Sequence, residues 1–267
     1  MSMKPLAYCE DLGDRLLVVN ANARKRNVLS TDFYRVLQEA LALAAAQSRI
    51  TSVIIHGEGN YFCAGGNLGL LSERRTLPRP ERLRKIEDLH DVVRAILECP
   101  KPVIAAVAGG AAGAGVSLAF ACDFLVADEE ARFTIAYVKA GLVPDGGLTS
   151  TLSAHLPRAV VMQMALLGEP VTAQHLHTLG AIATIVPSGE VIDAAHGIAD
   201  KLANGPSATQ GVIKALVNQG SNTTLAQQMD AERDAMADAV VSPEAVEGMS
   251  AFLEKRLPDF KQLRDQP

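Results

Sequence analysis

Val103–Ile104–Ala105–Ala106–Val107–Ala108–Gly109–Gly110–Ala111–Ala112–Gly113–Ala114–Gly115–Val116 is the stretch that decides the fold. Its first five residues are apolar without alternation, between Pro102 and Gly109, which is the pattern of a strand buried on both faces. The Gly-rich run then turns the chain and leads into a helix. Leu16–Asn20, Ser52–His56 and Phe124–Ala127 have the same strand character. Between them Ser30 caps a segment in which Phe33, Val36, Leu37, Ala40 and Leu41 recur at helical spacing, and Leu83–Leu97 repeats that pattern. Strands alternating with helices predict an α/β core.

From Thr149 onward nearly every segment reads helical: Val160–Leu167, Ala173–Leu179, Val191–Ala203, Pro206–Asn218 and Leu225–Val240. Ser242–Pro243–Glu244 starts a last helix, with Ser at the N-cap and Pro at the first helical position, expected to run to about Lys255. The chain has 267 residues, 48% of them hydrophobic and 21% charged, enough for one large core without staples. Its formal net charge of −5 offers no overall attraction for nucleic acid or an anionic membrane, although a local cluster such as Arg82, Arg84 and Lys85 remains able to bind phosphates.

Met1–Asp14 turns acidic and polar within ten residues, unlike a secretory signal, and Pro102–Gly115 is too short and too rich in Gly and Ala to span a bilayer. A cytoplasmic protein without membrane or nucleic-acid partners is expected. Cys9, Cys63, Cys99 and Cys122 form no CxxC pair and read as small core residues of a reducing compartment, with a reactive thiol as the alternative. His155, His175, His177 and His196 show no ligand spacing with nearby carboxylates, so no metal site is expected.

Two Gly-rich turns follow predicted strands, Gly57–Leu68 and Ala108–Val116. Gly and Ala leave backbone N–H groups open to a ligand, and the second turn opens a helix whose N-terminus favours an anion. Each turn alone reads equally well as a tight strand-to-helix connection. Neither matches a P-loop, and the second lacks the spacing of a dinucleotide fingerprint.

Phe62–Cys63–Ala64–Gly65–Gly66–Asn67–Leu68, Pro100–Val107 running on to Ala121–Cys122–Asp123, Gly141–Leu142–Val143–Pro144–Asp145–Gly146–Gly147, and the ending from Glu247–Gly248 through Phe252 and Lys255 to Phe260 resemble the crotonase (enoyl-CoA hydratase/isomerase) superfamily. Arg26–Asn27–Val28–Leu29–Ser30 resembles its early coenzyme A segment. The resemblance spans nearly the whole chain in order. It implies a β-β-α spiral over 1–200 carrying the coenzyme A and oxyanion site. It also implies a C-terminal helical trimerisation region over 201–267, giving a homotrimer or a hexamer. The implied partner is an acyl-CoA, with coenzyme A arriving as part of the substrate and no permanently bound cofactor.

Carried over residue by residue, the resemblance puts the two oxyanion donors on the N–H groups of Gly66 and Ala114. At the positions of the two hydratase glutamates this chain has Ser117 and Tyr137, which stay protonated at neutral pH. That disfavours hydration. Asp145 remains, and one carboxylate suffices to move a double bond by taking a proton from one carbon and returning it to another. A lone Asp in this turn resembles the single-aspartate isomerase branch, which includes the phenylacetyl-CoA ring-epoxide isomerase. The competing reading is that Asp145 caps a helix beginning near Gly147.

Leu83, Ile86, His90, Val93 and Leu97 advance at helical spacing, so His90 should face inward, as a core histidine or as a pocket residue beside Ser117 and Tyr137. The pocket reading resembles an arylacyl-CoA dehalogenase of the superfamily, with Asp145 as nucleophile. A residual hydratase and a non-catalytic coenzyme A-binding member are the further alternatives. For coenzyme A the resemblance points to Lys25 and Arg26 at the phosphates, the backbone around Ala64 and Leu68 on the adenine side, and Lys255 reaching a neighbouring subunit's ligand. Each of these cations also reads as an ordinary solvated surface charge.

Overall fold

The structure, a computed structural model, describes residues 5–221 and 223–264. Strands β1 (Ala7–Asp11) and β2 (Arg15–Asn20) form an antiparallel hairpin, and helix α1 (Thr31–Ala46) crosses back to β3 (Ser52–Gly57), parallel to β2. Helices α2 (Leu68–Glu73) and α3 (Arg79–Glu98) return the chain to β4 (Val103–Val107), parallel to β3. Next come β5 (Gly110–Ala112), α4 (Ala114–Phe120), β6 (Phe124–Asp128) and β7 (Arg132–Thr134). Then follow α5 (Leu148–His155), α6 (Arg158–Leu167), β8 (Val171–Thr172), α7 (Ala173–Thr178), β9 (Thr184–Val186) and α8 (Val191–Ala203). The chain closes with α9 (Ser207–Gly220), α10 (Leu225–Ala239), α11 (Pro243–Glu254) and α12 (Lys261–Arg264).

The large sheet runs β1-β2-β3-β4-β6-β9, parallel except for β1, and the small sheet runs β5-β7-β8. Twice in succession a strand of the large sheet is followed by one of the small sheet and then a helix, as β4–β5–α4 and β6–β7–α5. That is the β-β-α winding of a spiral. All five residues of β4 are buried, because α1, α3 and α4 cover one side of the large sheet while α8 packs against the other with Ala195 and Ala199. The four strands named from the sequence all form. β1 and the short strands β5, β7, β8 and β9 were not anticipated.

The buried stripe of α3 is Leu89, Val92, Val93 and Ile96, offset from the anticipated one. Leu83 is exposed, as are its neighbours from Arg79 to Arg84, and the buried face of α3 begins only at Leu89. His90 consequently sits at the margin of the buried face with its side chain 34% exposed, and its Nδ1 lies 3.6 Å from Glu87. The inward-facing expectation for His90 is corrected accordingly. Cys63 and Cys99 are buried as expected and Cys122 is half-buried, whereas Cys9, on edge strand β1, is exposed and is not a core residue.

The C-terminal helices are tied to the core through buried polar contacts. Lys214 of α9 pairs with Asp123 at 2.7 Å and donates to the carbonyl of Ile96 at 2.8 Å. Glu244 of α11 in turn accepts from the N–H of Ala208 (3.0 Å) and of Thr209 (2.8 Å) and from the Thr209 hydroxyl, so one carboxylate satisfies the open first turn of α9. Replacing Glu244 by Ala should cost ~1–2 kcal/mol of stability, the usual worth of a helix cap, measured as a lowered denaturation midpoint with little change in slope.

Candidate active site

The two Gly-rich turns leave the C-terminal ends of adjacent parallel strands, β3 and β4, where open parallel sheets place ligands. Backbone pairing locks them together: Cys63 bridges Ala111, Ala112 N–H donates to the Cys63 carbonyl at 2.9 Å, and Phe62 N–H donates to Ala108 at 2.9 Å. Only glycine allows this approach at two points. A Cβ on Gly115 would lie 2.3 Å from the Cys63 carbonyl oxygen, and one on Gly65, which has φ +82°, would lie 2.5 Å from that of Ala112 and 3.0 Å from the nitrogen of Ala114. The loop carrying Gly66 therefore abuts the first residue of α4. Neither the Gly66 nor the Ala114 N–H has a hydrogen-bond partner among the described residues. Ala114 opens α4 without a positive φ, so its Cβ is accommodated without strain.

Ser117, wholly buried on α4 one turn on, donates from its hydroxyl to the Asp145 carbonyl at 3.0 Å. Tyr137 Oη donates to Asp145 Oδ1 at 2.6 Å and lies 3.4 Å from Ser117 Oγ. These contacts gather Ser117, Tyr137 and Asp145 in one cluster and leave Asp145 Oδ2 outside the network. Burial, and then the Asp145 carboxylate, raise the Tyr137 phenol well above its ordinary value, so it remains a donor at any working pH. The helix-cap reading of Asp145 is not what forms: Gly147, with φ +73°, is the N-cap of α5 and no side chain caps that helix.

Around this cluster, Leu89 of α3 packs against the Gly146 position and Leu71 of α2 against Gly66. Tyr34 was missed by the sequence reading. It lies in the first turn of α1, which is docked at the site by the Leu29 N–H bond to the Gly65 carbonyl (2.9 Å). Burial raises its phenol, with Cys63 and then Asp145 adding to the shift, so it shares the electrostatic surroundings of the carboxylate. Arg26, in a left-handed conformation, accepts from Ala64 N–H at 2.9 Å, and its guanidinium lies 5.5 Å from the centre of the Tyr61 ring. Lys25 and Leu68 are exposed nearby in sequence, while Lys255 ends α11 with φ +57° and projects into solvent. His90 makes its polar contact with Glu87.

Burial pushes the Cys63 thiol up to about 12, which makes it a structural residue of the turn rather than a nucleophile. Two hollows lie away from the cluster, one of about 180 Å3 lined by Phe120, Cys122, His155 and Ile198, and one of about 580 Å3 beside Arg15, Arg49 and Arg264. Neither includes Gly66, Ala114 or Asp145. No group of His, Cys, Asp and Glu suited to a metal occurs among the described residues, and no helix there is long and apolar enough to cross a membrane.

The enoyl-CoA hydratase/isomerase family profile matches residues 13–264. The chain belongs to that family. Within it, the chain is 37% identical over 235 residues to a 1,2-epoxyphenylacetyl-CoA isomerase of Escherichia coli, covering 88% of this chain and 90% of the other. It is also 34% identical over 248 residues to a 2,3-dehydroadipyl-CoA hydratase of the same organism, covering 92% and 94%. The crystal structure of an enoyl-CoA hydratase from Polaromonas sp. JS666 superposes with a TM-score of 0.91 at 40% identity, covering 94% of this chain and 98% of that one. Similarity to both isomerases and hydratases establishes processing of acyl-CoA thioesters as the common ground of this enoyl-CoA hydratase/isomerase family member.

Proposed function

We propose that this family member is an acyl-CoA isomerase that shifts a double bond, in an enoyl chain or in the ring of an aromatic-derived CoA ester, through a thioester enolate. The observation that carries this reading is one carboxylate, Asp145, held by Tyr137 on one oxygen, with its other oxygen and the N–H groups of Gly66 and Ala114 having no hydrogen-bond partner among the described residues. The thioester oxygen accepts from Gly66 and Ala114, each donor being worth ~3 kcal/mol as charge develops on that oxygen. Asp145 Oδ2 takes a proton from one carbon, the enolate forms, and the same oxygen returns the proton to another carbon on that face. Ser117 and Tyr137 supply no second base for adding water. Coenzyme A enters and leaves with the substrate, and the mechanism calls for no resident cofactor. A dehalogenase would want His90 beside Asp145, and the contact of His90 with Glu87 weighs against that.

Replacing Tyr137 by Phe removes one charge-assisted hydrogen bond and should lower kcat by ~10–100-fold with little change in KM. Because the phenol is raised, the wild-type rate should show no break where an ordinary tyrosine ionises, near pH ~10. The homo-oligomer belongs to the same proposal. Helix α10 buries none of its residues in the single chain, and Leu225, Met229, Met236, Val241, Phe252 and Leu253 are exposed, with Phe252 at 83%. Light scattering at micromolar concentration should give a trimer or hexamer, and a monomer would count against it. The activity itself is tested by screening 3-enoyl-, 2-enoyl- and aryl-CoA esters for an absorbance change. Turnover of a 3-enoyl or ring ester without hydration supports the isomerase; hydration of a 2-enoyl ester alone replaces it with a hydratase.

A further inference from the structure

The chain carries 25 Lys and Arg, and six of them, Arg74, Arg75, Arg79, Arg82, Arg84 and Lys85, crowd into twelve consecutive residues that include a single acid, Glu81. Among the described residues none of the six forms an ion pair, whereas Arg15, Arg35, Arg49, Arg94, Arg233 and Arg256 all do. Arg75, Arg79, Arg82 and Arg84 are exposed. Arg74 Nη1 donates to the Lys85 carbonyl at 3.4 Å, which folds the turn after α2 back onto α3 and gathers both ends of the segment into one surface. An unpaired cationic surface of this density is costly through self-repulsion.

Its position relates it to the site from both ends. Helix α2 begins two residues after Gly66, and α3 runs from Arg79 to Leu89, which packs on the Gly146 position. At a rise of 1.5 Å per residue, Arg84 and Arg82 stand roughly 8 and 10 Å up α3 from that contact. Arg74 also acts on Tyr34, which in turn feels Asp145.

We propose that segment 74–85 is an electrostatic guide that captures the phosphate-bearing end of a coenzyme A thioester and delivers it to the neighbouring Asp145 site. This rests on the functional reading above. A coenzyme A moiety carries roughly −4 at neutral pH, from a phosphomonoester near −2 and a diphosphate bridge. The whole chain, at −5, repels it. Screening decides the balance: at ~0.1 M salt the Debye length is ~10 Å, so acids remote from the segment are muted while its six cations act at short range on an anion that reaches them. Guides of this kind raise association rates by ~10–10³ and lose that gain as salt is added.

The test is stopped-flow binding of etheno-coenzyme A, a fluorescent probe that needs no turnover. For the wild-type protein, raising ionic strength from ~0.02 to ~0.5 M should slow association at least ~10-fold. The variant Arg75→Gln, Arg79→Gln, Arg82→Gln, Arg84→Gln should associate ~10-fold more slowly at low salt and respond only weakly to added salt. The wild-type salt series keeps the proposal open to refutation should the variant fold poorly by circular dichroism. Equal rates with parallel salt curves overturn the guide while leaving the functional reading intact. Absence of binding by either protein at millimolar probe overturns the site reading and the guide with it. Stronger retention of a DNA duplex by the wild type than by the variant, with equal coenzyme A rates, moves the surface to nucleic acid and also overturns the guide.

Discussion

Asp145→Asn should lower kcat by ~10²–10⁴, the usual contribution of a positioned acid/base group, with the melting temperature nearly unchanged. Asn keeps the shape of the side chain, and its amide oxygen still accepts from Tyr137 Oη, which in the wild type donates to Oδ1 at 2.6 Å. The backbone carbonyl that receives the Ser117 hydroxyl is untouched. Helix α5 loses no cap, since Gly147 occupies that position and the carboxylate does not serve it. What disappears is the second oxygen as a proton carrier. KM for the acyl-CoA should move little, because the residues proposed to hold coenzyme A lie elsewhere. Wild-type rates from a folded Asp145→Asn protein on an established substrate would remove Asp145 from the chemistry.

The second large effect is expected from Ala114→Pro, which should cost ~10²–10³ in kcat by deleting one oxyanion donor. Position 114 suits this substitution because it is the first residue of α4, where proline breaks no helical hydrogen bond and its fixed φ is already helical. The ring also occupies the space in front of the lost N–H, so part of the loss should appear in KM. Gly66→Pro is the companion variant: Gly66 is exposed, and a Cβ there meets only the Leu71 Cδ1 methyl, at 3.3 Å. If both proteins fold and both retain normal turnover, the thioester oxygen is not held between these turns.

The sequence revealed the elements that bury a continuous apolar face. Helix α8 forms over the anticipated Val191–Ala203, and α1 and α11 begin at the anticipated Ser30 and Ser242 caps, whose hydroxyls accept from Phe33 and Ala245 N–H. Strands β5, β7, β8 and β9 are two or three residues long, too short for any periodicity, and exist because neighbours in space pair with them. His90 was misplaced because helical spacing leaves the centre of a stripe open to rotation, and the face that packs is centred on Leu89, Val92, Val93 and Ile96 instead. The two glycine turns were legible as turns. Their meeting around one oxygen came from the family resemblance and not from the residue pattern, because it depends on the pairing of Cys63 with Ala111, nearly fifty residues apart. Tyr137 was likewise placed by the resemblance, whereas Tyr34, which reaches the Asp145 neighbourhood only through the packing of α1, left no signal in the sequence.

The central claim is that a thioester enolate forms between two N–H groups with Asp145 carrying the proton. Incubating an acyl-CoA substrate with the wild-type protein and with Asp145→Asn in heavy water, and weighing the recovered ester by mass spectrometry, tests it directly. The account predicts deuterium entering the substrate with the wild-type protein and falling to the uncatalysed level with the variant. Undiminished deuterium uptake or undiminished turnover with a folded Asp145→Asn protein would contradict it.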